Sequence, residues 1–98
     1  MKKLTITARI LPDGKPMALI GRAAWALRNL VNAGAAGCTP IDHPGPRWAH
    51  YVYLLRGYGF LVETIHESHG GPFAGTHARY VLRSDVEVLR ASDQQEAA

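Results

Sequence analysis

The chain has 98 residues, a net charge of +3 at pH 7, and 47% hydrophobic against 19% charged residues, the balance of a globular chain and not of a disordered one. That length builds one modest core without a large internal pocket, and its apolar runs are too short and too often broken by Arg, Gly or Asn to span a bilayer. The single cysteine, Cys38, permits no internal disulfide and suits a reducing cytoplasm, where a lone thiol reads as a small buried residue.

Charge is unevenly distributed. Residues 1–60 carry eight Lys/Arg against only Asp13 and Asp42, whereas residues 61–98 carry three arginines against six acids. A basic half beside an acidic half points to one face for a polyanion.

From Lys2 to Leu11 polar and apolar residues alternate, with Leu4, Ile6, Ala8 and Ile10 on one side. Period two predicts a half-buried strand rather than a signal peptide. Pro12-Asp13-Gly14 has the chemistry of a turn. From Met17 to Ala33 the period becomes helical, with Ile20, Ala23, Ala24, Leu27, Leu30 and Val31 on one stripe and Gly34 as terminator. Trp25 lies opposite that stripe. It is expected to pack under the N-terminal strand, with a contact to a partner subunit as the second reading.

The segment "AGAAGCTPIDHPGP" is too rich in Pro and Gly for a long helix. It has room for an extended piece at Gly37–Thr39 and one helical turn near Ile41–Asp42. Pro46 is placed to open a second helix from Arg47 to about Tyr58, with Trp48, Tyr51, Val52 and Leu55 facing the core and Gly59 as a left-handed cap. Period two then returns. Phe60, Val62 and Thr64 share one side of a strand, and Ala78, Tyr80 and Leu82 share one side of the next. Between them "SHGGPFAGT" reads as a long glycine-rich loop, expected to be mobile from Ser68 to Thr76. Val86 and Leu89 tack a short final segment onto the body, and residues 93–98 read as a frayed tail following one domain over 1–92.

This order of elements resembles the winged helix–turn–helix family. The carrying residues are Thr39 opening the turn, "RWAHYVYLLRGYG" as recognition helix, "FLVETI" as first wing strand and "ARYVL" as second. The resemblance covers about Met17 to Arg83 and is similar to small bacterial and phage-associated members. It implies an α+β fold, a winged helix–turn–helix with an N-terminal strand and a two-stranded wing. It further implies a non-enzymatic DNA-binding protein, a small transcriptional regulator in the cytoplasm. The chain departs from the family in its second helix, reduced to "TPIDHPGP". That departure keeps an alternative open, a winged-helix module for protein contact or dimerisation.

With Trp48, Val52 and Leu55 inward, the second helix presents Arg47, Ala49, His50, Tyr53, Leu54 and Arg56 outward. A helix suited to the major groove needs donors for base edges and cations for phosphate, and Arg47, His50, Tyr53 and Arg56 are the candidates. Thr39 and His43 in the turn, and His69, Phe73, His77 and Arg79 in the wing, complete the expected contact set for double-stranded DNA. His66, His69 and His77 lie near Glu63 and Glu67, but no spacing matches a metal-ligand pattern, and no catalytic triad, carboxylate pair or phosphate loop stands out. The expectation is neither metal nor cofactor, with a homodimer or partner protein as further company.

Overall fold

A computed structural model describes residues 3–45, 47–72 and 74–93. Along the chain run β1 (Thr5–Ile10), β2 (Met17–Ile20), α1 (Arg22–Ala33), a 3-10 turn (Gly34–Ala36), α2 (Trp48–Gly57), β3 (Val62–His69), β4 (Gly75–Leu82) and β5 (Val86–Ala91). They form two antiparallel sheets, one ordered β2-β1-β5 and one hairpin of β3 and β4. Cys38 adds a one-residue bridge to the hairpin opposite Tyr80.

β1 follows its alternation, with Ile6 and Ala8 fully buried. The stripe on α1 is equally faithful, since Ala23, Ala24, Leu27 and Leu30 are buried and Gly34 caps the end. One boundary differs. Residues 17–20, read as the first turn of the helix, form β2 and pair with β1 from Ala8↔Met17 to Thr5↔Ile20. Met, Ala, Leu and Ile suit a helix as well as a strand, and the open edge of β1 decides between them. Ile20 consequently leaves the stripe and stands 59% exposed.

The last segment is also more than a tack. β5 pairs with β1 across a bulge between Thr7 and Ala8, and Ala91 is buried opposite Ile6. Ser92 Oγ accepts the Thr5 N–H at 3.0 Å, and Asp93 is ion-paired with Arg28. Residues 94–98 of the expected tail lie outside the described residues, as does Pro46 at the expected start of α2.

α2 buries Trp48, Tyr51, Val52 and Leu55 in a core cluster that also holds Leu27 and Leu30. It ends in a Schellman motif: the Phe60 N–H donates to the Leu55 carbonyl and the Gly59 N–H to the Arg56 carbonyl, with Gly59 at φ 100°. Phe60 is thereby turned into the core, two residues before β3 begins. Trp25 corrects its expected place. It is half-buried against α2, its ring centroid 5.2 Å from Trp48 and 6.2 Å from Tyr51, and not under β1. The wing also differs from its expected outline. Ser68 and His69 end β3, and Gly75 and Thr76 begin β4, so the loop is residues 70–74.

Candidate nucleic-acid interface

The second helix projects between the Thr39 turn and the wing. Its first turn holds no acidic residue, and no side chain among the described residues caps its N-terminus, so none of them offsets its positive pole there. Arg47 stands exposed at this end and makes no ion pair among the described residues. His50 and Tyr53 follow on the outer face, their rings stacked at 6.3 Å and 18°. Tyr53 is 71% exposed.

A further cation, which sequence reasoning missed, lies at the same end. Arg22 at the start of α1 is exposed and sits over the Trp25 ring, 5.4 Å from its centroid. Trp25 packs on Trp48, so Arg22 is carried toward the beginning of α2. The available signal was the i, i+3 spacing of Arg22 and Trp25, which puts both on one helix face.

The turn residues point inward. Thr39 is 1% exposed, and its Oγ1 accepts the N–H groups of Ile41 and Asp42 at 3.2 and 3.0 Å. Thr39 thereby caps the one helical turn expected near Ile41–Asp42, which the His43 N–H closes on the Thr39 carbonyl at 2.9 Å. The His43 carbonyl accepts the Trp48 indole N–H at 2.7 Å, while its ring Nδ1 is buried without a partner among the described residues. Both residues thus fix where α2 begins.

Arg56 is exposed but engaged. Its Nη2 donates to the Val62 carbonyl at 2.7 Å and to Thr64 Oγ1 at 3.0 Å, bracing the helix against β3. Beside it runs an open groove lined by Gly59, Leu61, Glu63 and Arg83, crossed by the Arg83–Glu63 ion pair.

In the wing, Glu67 is the hub. Its carboxylate takes the Arg79 Nε at 2.6 Å and the His77 Nε2 at 3.0 Å, and His77 Nδ1 meets His69 Nδ1 at 2.9 Å. Arg79 also donates to the Ala36 carbonyl at 2.7 Å, tying the wing to the 3-10 turn. The Arg79 hydrogen bond holds the Glu67 carboxyl below its ordinary value, with His77 adding to it against the cost of desolvation. Glu67 in turn raises Arg79. Glu67 was overlooked as a contact residue, although its place opposite His77 follows from period two on paired strands. Phe73 lies outside the described residues. Beneath the wing, burial pushes the Cys38 thiol up to about 11, with Arg79 opposing and Asp42 assisting.

Among the described residues no three His, Cys, Asp or Glu side chains are grouped to hold a metal ion. No helix among them is long and apolar enough to cross a membrane. A family profile described as the winged helix domain matches residues 16–92. No curated protein and no solved structure matches the chain. The matched span runs from β2 through both helices and the wing to the end of β5, so the chain belongs to the family of winged helix domains.

Proposed function

We propose that this protein is a non-enzymatic DNA-binding regulator of transcription that presents the N-terminal half of α2 to the major groove of duplex DNA. Winged helix domains are typically DNA-binding modules. The observation that carries the reading is Arg47, exposed at an uncapped helix N-terminus without an ion pair among the described residues. Arg22 beside it supplies a second cation for phosphate, and His50 and Tyr53 supply donors for base edges one turn further along. Arg56 and Arg79 brace the helix and wing from within, and Thr39 and His43 hold the turn that aims α2. His69 and His77 stand at the base of the wing loop, where a backbone phosphate of the same duplex would pass.

A gel shift with random duplex DNA at two salt concentrations tests this. Affinity should fall steeply with salt, because neutralised phosphates release counterions. Arg47→Ala should weaken binding by ~1–3 kcal/mol if it contacts guanine, and Arg22→Ala should weaken it across all sequences. Unchanged affinity in the double variant would remove this end of α2 as the reading head.

A second reading rests on a different surface. Tyr53, Tyr58 and Leu61 are 71%, 45% and 66% exposed around the end of α2, an apolar patch suited to protein contact. If that patch is the working surface, Tyr53→Ser with Leu61→Ser abolishes self-association or partner capture in sedimentation while the arginine variants leave it intact.

A further inference from the structure

We propose that the outer edge of β3 is a pairing edge for a second copy of this chain, the two β3 strands running antiparallel about a two-fold axis through His66 and joining the two wings into one sheet. The Arg83 N–H donates to the Leu61 carbonyl, so the hydrogen-bonded pairs of the hairpin alternate from there, through Glu63 with Val81 to His69 with Gly75. The backbone groups of the residues in between turn away from the partner strand. Two contacts bear this out. Tyr80 exchanges both of its backbone bonds with Cys38 at 2.8 Å, and the Val62 carbonyl accepts Arg56 Nη2 at 2.7 Å. The Val62 carbonyl is thereby taken, while Thr64, His66 and Ser68 keep outward N–H and C=O groups that have no backbone partner among the described residues.

The other sheet edges are blunted against such pairing. β2 has only four residues and follows Pro16. β5 is interrupted by the bulge opposite Thr7 and Ala8. The outer edge of β4 is taken at Tyr80 by Cys38. Among the described strands, β3 alone combines eight residues, an unbroken register and a free run at its edge.

Backbone supply and charge select a second copy in one register. A two-fold antiparallel pair uses Thr64, His66 and Ser68 together only when it is centred on His66. Thr64 then lies opposite Ser68 of the second copy, hydroxyl to hydroxyl, and His66 opposite His66. The same register faces Glu63 to the imidazole of His69 and Ile65 to Glu67, on both sides of the axis. A slip of two residues one way sets Glu63 against Glu67, and a slip the other way sets Glu67 against itself. Like charges directly opposite destabilise a strand pair, so both slips are disfavoured. Val62 falls opposite Gly70 of the second copy, which brings no side chain against Arg56. His66 and Ser68 are already exposed, so the edge is accessible without rearrangement of the hairpin.

Sedimentation equilibrium of the full chain without DNA tests the pairing. A monomer–dimer equilibrium is expected, and a monomer at about 1 mM, where even a millimolar association is half-formed, overturns the proposal. His66→Pro removes the N–H at the axis, and proline is tolerated on an edge strand whose N–H faces solvent. The variant should keep its far-ultraviolet circular dichroism and raise the dimer dissociation constant roughly 30-fold, the worth of the two bonds lost at the axis. An undiminished dimer in this variant assigns self-association to another surface, the apolar patch at the end of α2 first, and overturns the pairing. If proline unfolds the hairpin, disulfide capture reads the register directly. Across the axis His66→Cys meets its mate with Cα atoms about 5.5 Å apart, within reach of a disulfide. Ile65→Cys lies beyond about 7 Å from its own mate, and Cys38 is buried. Oxidation should link the first variant and spare the second. Linking of the second, or of neither, overturns the register. None of these readouts uses DNA, so they are decided apart from the proposed function.

Discussion

Gly37 is where the chain passes closest to β4, and replacing it with alanine should detach the segment that aims α2. An added Cβ would lie 2.6 Å from the Tyr80 carbonyl oxygen and 2.8 Å from Val81 Cγ2. The oxygen cannot swing aside, because it accepts the Cys38 N–H at 2.8 Å, and Tyr80 N–H returns a bond of 2.8 Å to the Cys38 carbonyl. Relief therefore means moving the segment off β4. Losing the two hydrogen bonds costs about 1 kcal/mol each, and holding a non-glycine residue at φ 70°, ψ −175° costs about 1–3 kcal/mol. The sum, about 3–5 kcal/mol, is a large part of the stability of a domain this size. Gly34 is the internal control: its φ is 58°, but a Cβ there meets nothing within 4 Å. Gly34→Ala should carry the backbone cost alone. Urea unfolding of both variants, compared at equal m-value, should show Gly37→Ala lower by about 2 kcal/mol, the share of the two hydrogen bonds. Equal losses would refute the close approach of Gly37 to β4.

Leu55, fully buried in the core, should lose roughly 2–5 kcal/mol on replacement by Ala; a loss well under 1 kcal/mol by chemical denaturation would mean the inward face of α2 lies elsewhere. Glu67 has a carboxyl held below its ordinary value in the folded state, so its contribution is present above the unfolded value of about 4.3 and is lost as pH falls through the folded one. Glu67→Gln should flatten the acid limb of a stability-against-pH curve. Cys38 behaves in the opposite sense. Its folded value of about 11 lies above the ordinary thiol, so its contribution is full below about 8.5 and fades as pH rises toward the folded value. Cys38→Ala should remove part of the alkaline destabilisation seen by circular dichroism, and the wild-type thiol should resist a disulfide reagent at neutral pH until the chain is unfolded. Trp25→Ala should quench little of the wing but loosen the start of α2, read as faster amide exchange at Tyr51 and Val52.

Periodicity made the middle of the chain legible. Ala23, Ala24, Leu27 and Leu30 on one helix and Trp48, Tyr51, Val52 and Leu55 on the next are buried as their spacing requires. What periodicity could not resolve were choices set by distant partners. Met17–Ile20 is a strand because β1 offers an edge, and Val86–Ala91 is a strand because β1 offers the other. The site was legible in part for the same reason. Spacing put Arg47, His50 and Tyr53 on the outer face of α2, where they are exposed. It could not foresee that Arg56 reaches Val62 and Thr64, or that Arg79 reaches Ala36, because these bonds join positions related only by the fold. Trp25 gave no sign in its own helix of the aromatic neighbours supplied by α2.

The pairing of β1 with β5 bears on how the chain is made. The Thr5 N–H and Ser92 Oγ that close this sheet are 87 residues apart, whereas β2 follows β1 after one short loop. Local pairings form readily and distant ones wait on the entropy of closing a long loop. On the ribosome, where the N-terminal part emerges first, β1 and β2 can meet early. The other edge of β1 stays open until β5 has been synthesised. Of the described strands, β1 is therefore the earliest made and the last to be fully paired, and during that interval its bare edge is the place where two nascent chains would join.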